Sequence, residues 1–236
     1  MSSLSTEEDR VFTKGSAFVL ALLQPKNPRA TFRGDMARKK NQTARREQLT
    51  DAAQRAIAEH GAAAVRVEHV ALEAGVSPNT VRYYFSDVEE LLREAHRKAI
   101  ERFYTERMNQ ARAIEDPVDR LVATIESGVA SGPDDQETRL IWEGVRLAGE
   151  SDLFSVLMST LYKQQELLYE SILELGAAVG VFTLTDDIHR IAQTLVALED
   201  ICGVRMMQND RSFDHAEGKR MLLAYARLAT GVDLPE

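Results

Sequence analysis

The chain has 236 residues, 44% of them hydrophobic, which is enough apolar material for one large or two modest cores. Its one cysteine, Cys202, excludes an internal disulfide framework and fits a reducing cytoplasm. The net charge of −8 is unevenly spread: residues 1–115 carry 19 Lys/Arg against 16 Asp/Glu, and residues 116–236 carry 10 against 21. The acid that argues against a polyanionic partner therefore lies in the second half, and a nucleic-acid-binding module needs only local positive charge. No run reaches the roughly 18 to 20 apolar residues of a membrane span. The longest, residues 17–23, lacks the basic flank and small-residue cleavage site of a signal peptide, so no membrane partner is expected.

Taken in chain order, residues 1–32 begin polar, allow a short apolar helix over 16–23 and meet Pro25 and Pro28, which end it; disorder is expected for most of the stretch. Residues 33–46, RGDMARKKNQTARR, set six basic residues against one acid. They suit a solubilising linker, or an arm that lies along phosphates or enters a minor groove beside a DNA-reading domain. Residues 1–43 are accordingly assigned to a largely flexible extension and basic arm. The first domain helix is predicted over 44–60, with Leu49, Ala52, Ala53, Ala56 and Ile57 on one stripe and Gly61 ending it. His60 and His69 have no metal-type cluster around them and read as surface or capping residues.

Residues 65–92, VRVEHVALEAGVSPNTVRYYFSDVEELL, carry the densest pattern. Val67, Val70, Ala71 and Ala74 recur at helical spacing, and Gly75 stops that helix. Ser77 and Pro78 start the next one, as a hydroxyl cap followed by a proline whose missing N–H had no partner to lose. Two short helices joined by a tight glycine turn form the helix-turn-helix layout, whose second helix enters the DNA major groove. On that helix Val81 and Phe85 face inward, whereas Asn79, Arg82 and Tyr83 share another face. Asn pairs with adenine edges and Arg with guanine, so this face is suited to reading bases. The same spacing also suits a solvated hairpin in an ordinary helical bundle. Asp87 then caps a long connector helix carrying Leu91, Leu92, Ala95, Ala99 and Phe103 towards Ile114. Its alternating Arg/Lys and Glu read as a solvated face.

The stretch AAQRAIAEHGAAAVRVEHVALEAGVSPNTVRYYFSDVEELL resembles the N-terminal domain of the TetR (tetracycline-repressor) family in its succession of helix, Gly turn, helix, Gly-Val-Ser, helix, aromatic and Leu-Leu. The resemblance implies a homodimeric, ligand-responsive transcription factor. It further implies DNA contacts from Arg45, Arg46, Arg66, Ser77, Pro78, Asn79, Thr80, Arg82, Tyr83 and Tyr84. Three positions depart from the family pattern. Arg82 stands where an aromatic often sits, and Tyr84 replaces a histidine. Val88 replaces the lysine that usually contacts phosphate at the start of the following helix.

Further helices are predicted at 135–149, 152–178, 185–207 and 213–230, after one started by Asp116-Pro117 and stopped by Gly132-Pro133. Trp142, Arg146, Phe154, Met158, Tyr162 and Tyr169 place large, partly polar side chains on two successive helices, as a small-molecule pocket does, although core packing would use the same residues. Glu199, Asp200, Cys202 and Arg205 interrupt an apolar helix as buried pairs, ligand contacts or dimer contacts; Glu199 and Cys202 join the pocket candidates. Ile188, Ile191, Leu195 and Leu198 in one helix, with Met221, Leu222, Tyr225 and Leu228 in the other, are expected to form a four-helix dimer seam.

An enzyme is not expected. Asp186 and His189 mimic a carboxylate–histidine metal pair but stand at a helix start, Cys202 has no basic partner nearby in sequence, and no phosphate loop or nucleophile elbow occurs. The reading is an all-α protein with no cofactor and no metal. A three-helix helix-turn-helix DNA-binding domain (44–90) is joined to a helical effector-binding and dimerisation domain (91–236). The expected partners are a palindromic double-stranded DNA operator, a second copy of the chain and an unidentified small-molecule effector. The alternative is a helical ligand-binding or interaction module with vestigial DNA binding, motivated by Val88 and the acids beside it.

Overall fold

Most of the helix starts among the described residues are set by side chains that accept hydrogen bonds from unpaired backbone amides. In the computed structural model, Asp87 accepts from the Glu90 amide at 2.7 Å, Asp116 from Val118 at 2.8 Å, Asp135 from Thr138 at 3.0 Å and Asp214 from Glu217 at 2.9 Å. The structure describes residues 28–132, 135–149, 151–208 and 210–235, with the backbone alone for 28–39. Among the described residues every regular element is an α-helix, and none is long and apolar enough to cross a membrane.

The chain forms two units, residues 1–47 and 48–236, each taken by itself. The first helix, α1 (Pro28–His60), begins well before the expected position 44. Pro28 ends whatever precedes it but is equally fit for a first helical turn, and the Ala, Arg, Lys and Gln residues after it favour helix strongly enough to absorb Gly34. In the first unit Arg45 and Arg46 are half-buried. The short helix expected at 16–23 lies outside the described residues.

The second unit holds two main apolar cores. Leu49, Ala52, Ala53, Ala56 and Ile57 of α1 pack with Val70 and Ala71 of α2 (Val67–Ala74), Val81 of α3 (Pro78–Tyr84) and Phe85 beyond it. Gly75 ends α2 at φ +64°, a left-handed conformation that a β-carbon disfavours. The same core continues past residue 90 through Leu91, Ala95 and Ala99 of α4 (Val88–Ala113).

The larger core gathers Leu121 and Ile125 of α5 (Pro117–Gly128), Tyr169, Ile172 and Leu173 of α7 (Asp152–Ala178), Ile191 and Leu195 of α8 (Ile188–Met207), and Leu222, Leu223 and Ala226 of α9 (His215–Thr230). Helix α7 packs against α4, α5, α8 and α6 (Gln136–Ala148). The start of α8 falls at 188 rather than 185. The backbone before it is tied to the end of α9, with the Thr183 amide donating to Thr230 at 2.8 Å and Thr185 to Ala229 at 3.0 Å, so Asp187 becomes the cap.

Candidate nucleic-acid interface and buried cavity

The second helix of the turn motif, α3, is held by Val81 and Phe85, both almost fully buried, which turns Asn79, Arg82 and Tyr83 outward; Tyr83 is 70% exposed. Ser77 accepts from the Thr80 amide at 3.2 Å, and the Ser77 and Thr80 hydroxyls meet at 3.0 Å, with Pro78 half-buried at the first helical position. Tyr84 is half-buried against the core, and the Tyr83 ring stands edge-on to it at 5.0 Å. Arg66 is exposed at the start of α2, where its amide donates to His69 Nδ1 at 3.3 Å, so His69 takes the capping role expected of it. Arg82 donates through Nη2 to Glu68 Oε1 at 2.7 Å, a pairing across the two helices that spacing does not foretell. Arg45 and Arg46 lie on the helix of the first unit.

Among the C-terminal helices, the pocket candidates separate. Trp142, Tyr162 and Glu199 line a cavity of about 40 Å³ together with Phe103, Gln165, Asp200 and Gly203. Arg146 faces solvent and pairs with Glu143 at 3.3 Å, because it lies on the outer side of α6. Phe154 and Met158 are 3% exposed and serve as packing instead: Phe154 stands edge-on to His96 at 5.1 Å, and Met158 packs with Ile100 and Leu161. Cys202 is in the larger core, where burial and the neighbouring Glu199 charge push its thiol up to about 11.

Tyr169 lies one layer behind the cavity, in a polar cluster built around Arg107. Arg107 is 3% exposed, although its helix reads as a solvated face. It donates through Nη2 to Glu199 Oε1 at 2.6 Å and to the Thr124 carbonyl at 2.9 Å, and through Nη1 to Glu199 Oε2 at 3.1 Å and to Gln165. Tyr169 donates its hydroxyl to Glu199. Burial pushes the Arg107 guanidinium down, but the Glu199 charge more than offsets it, and the residue remains a cation. The space for this pair comes from Gly128, where a methyl group would overlap both charged groups. The sequence carries one signal for the cluster: Glu199 in an apolar helix requires a buried cation, but sequence order does not say which of many arginines supplies it.

Asp200, beside Glu199, is raised to about 7 by burial and by the Glu199 carboxylate. The cavity walls thus hold two carboxyl groups, one of them paired with the Arg107 guanidinium behind it, with Phe103, Trp142 and Tyr162 as aromatic surfaces. Trp142 also borders a second, open groove beside Ile57, Ala58, Glu59, Gly61 and Met207, so one residue is shared by the cavity and the groove at the end of α1.

The expected dimer seam divides in the same way. Ile191, Leu195 and Leu222 are fully buried against their own chain and belong to its core. Ile188, Leu198, Met221 and Tyr225 are half-buried, and Leu228 is 73% exposed. Ala197 and Ile201 of α8 and Ala224 of α9 are also exposed, so the outward apolar stripe lies one helical position further from the core than the spacing predicts.

His189 pairs with Glu170 at 2.6 Å rather than with Asp186. Although Glu166, Glu170 and His189 converge, the Lys163 ammonium already meets the two acids at 3.3 and 3.7 Å.

Residues 49–95, which span the helix-turn-helix and the start of α4, match the model of the tetR family of bacterial regulatory proteins. The chain is 30% identical over 158 residues to the HTH-type transcriptional regulator BetI of Rhizobium meliloti (strain 1021), covering 66% of this chain and 74% of that one. Its fold is similar to a transcriptional regulator from Saccharomonospora viridis in complex with choline, with a TM-score of 0.72 and 22% identity over 78% of this chain and 96% of that one. It is also similar to a TetR transcription regulator from Haloarcula marismortui ATCC 43049, with a TM-score of 0.71 and 22% identity over 80% of this chain and 99% of that one. With the reading motif in place on α2 and α3 and a relative 30% identical over 74% of its own length, the chain belongs to the tetR family of bacterial regulatory proteins and is a DNA-binding transcriptional regulator.

Proposed function

We propose that the protein is a homodimeric cytoplasmic repressor, released from a palindromic operator by a small organic cation that binds between α4, α6, α7 and α8. Asn79, Arg82 and Tyr83 read base edges, while Arg45, Arg46, Arg66, Ser77, Pro78, Thr80 and Tyr84 fix the helix on the backbone. Two copies meet through the outward faces of α8 and α9, with Ile201 and Leu228 central and Ile188, Leu198, Met221 and Tyr225 at the edges. Twofold symmetry then sets two reading helices on successive major grooves. The role is one of binding rather than catalysis.

The observation that carries the ligand class is the charge count at the cavity. Arg107 neutralises Glu199, so an ionised Asp200 leaves one negative charge facing Phe103, Trp142 and Tyr162. Aromatic faces around a carboxylate are the chemistry that holds a quaternary ammonium group. Choline, present in the Saccharomonospora viridis regulator, belongs to that class.

A cavity of about 40 Å³ admits only a few waters, so a trimethylammonium group has to displace a wall. Displacing Trp142 alters the groove beside Ile57 and Ala58 and hence the seat of the reading domain. The ligand acts by preferring that expanded geometry, which does not fit the operator.

The test is to titrate the full-length protein with choline chloride, using sodium chloride as the control, following Trp142 fluorescence and binding to the DNA upstream of its own gene. Saturable quenching with loss of operator affinity is expected. Quenching that leaves operator affinity unchanged would defeat the proposed release, and no quenching would defeat the ligand class.

A further inference from the structure

Arg82 is the residue of α3 best suited to guanine, yet it is held by an acid. Its Nη2 lies 2.7 Å from Glu68 Oε1, with the two side chains 53% and 56% exposed. An exposed pair of this kind adds little to folding stability, so stability gives no reason for a carboxylate on a surface that approaches phosphates.

The geometry gives a different reason. A guanidinium carries five N–H donors in a fixed fork, and Glu68 occupies one of them. The second hydrogen on Nη2 and those on the neighbouring nitrogens remain available for the paired contact to guanine O6 and N7. A tethered fork presents that pair in one orientation. An untethered arginine can swing to the nearest phosphate, where it contributes affinity for any sequence. Glu68 stays anionic in this position, because its own amide, Arg82 and Arg66 all hold its carboxyl below the ordinary range.

We propose that Glu68, on the first helix of the turn motif, is a specificity-determining positioning residue that orients Arg82 towards a base edge and keeps it off the DNA backbone. The proposal rests on the reading of Arg82 as a base contact. Glu68 thereby lowers affinity for random DNA and sharpens preference at one base pair in each half-site.

The experiment selects binding sites for the full-length protein from a random-sequence duplex library. Relative affinities for all four base pairs are then measured at every position of the selected site, for the wild type, Glu68→Ala, Glu68→Gln, Arg82→Ala and the Glu68→Ala/Arg82→Ala double variant. Arg82→Ala should flatten preference at one pair by at least about fivefold. Glu68→Ala should flatten the same pair, raise binding to unselected DNA several-fold, and have no further effect on that pair once Arg82 is gone. Glu68→Gln, which keeps an acceptor without the charge, should fall between wild type and Glu68→Ala. If Arg82→Ala leaves the profile unchanged, the reading of Arg82 fails. If Arg82→Ala flattens a pair that Glu68→Ala leaves intact, or if Glu68→Ala still alters that pair without Arg82, the role assigned to Glu68 is overturned. Thermal melts matching the wild type exclude a folding defect at this exposed position.

Discussion

The Arg107 guanidinium and the Glu199 carboxylate meet through two hydrogen bonds, 2.6 and 3.1 Å long, at a point where both side chains are almost wholly withdrawn from water. Removing one partner leaves the other as an uncompensated buried charge. Arg107→Met is therefore expected to destabilise the fold by about 3–5 kcal/mol in urea melts. Arg107→Met/Glu199→Leu, which removes both charges, should recover much of that loss. A double variant as unstable as the single one would mean that charge pairing is not what the cluster contributes.

Asp200 titrates near 7 in the folded chain against an ordinary 3.8, because burial and the Glu199 charge disfavour its ionisation. The folded state binds the extra proton between those values, so this group costs stability as pH rises through the window. Asp200→Asn should stabilise the ligand-free protein at pH 8 on the order of a few kcal/mol. The same change should weaken choline binding. In the wild type, choline affinity should rise as pH increases through about 7, and the variant should lose that dependence. Calorimetry across pH 6 to 8, a span of about one unit either side of the transition, decides it.

Gly203 lies under the indole of Trp142, with Nε1 only 2.7 Å from where a β-carbon would sit. Gly203→Ala should shift the tryptophan emission and reduce choline affinity at least about tenfold, for an overpacking cost of roughly 1–3 kcal/mol. Unchanged emission would show that the indole is not seated on this glycine.

Leu228 on α9 and Ile201 on α8 are large, apolar and exposed in the single chain. Leu228→Glu and Ile201→Glu are expected to yield monomers in sedimentation and to lower operator affinity about a hundredfold or more, since each half-site then binds alone. Choline should still quench Trp142. Retention of a dimer by both variants would place the interface elsewhere.

The turn motif is legible in sequence because its determinants are local: the Gly75 stop, the Ser77-Pro78 start and the Val81/Phe85 stripe act within a few residues, and the first helix stops and the second starts where expected. The early start of α1 is not legible, because a proline carries the same signature at the end of one segment and the start of the next. The cavity is half legible. Residue type alone points to Trp142 and Tyr162, but Arg146 and Phe154 share that signature and point elsewhere, since facing depends on which neighbouring helix covers each side. Arg107 cannot be found from its own helix, where it looks like any other solvated base; its burial is decided by Glu199, 92 residues away.

The aspartates that cap α4, α5, α6, α8 and α9 give the acidity of this chain a second meaning. At α6 burial pushes the Asp135 carboxyl up, but the Thr138 and Ser131 amides more than offset this and hold it below its ordinary range, so protonating it at low pH loosens that helix start. The reading helix α3 starts on the Ser77 hydroxyl, which has no proton to gain. Acid should therefore act on the Asp135-capped start of α6 while leaving the hydroxyl cap of the reading helix in place.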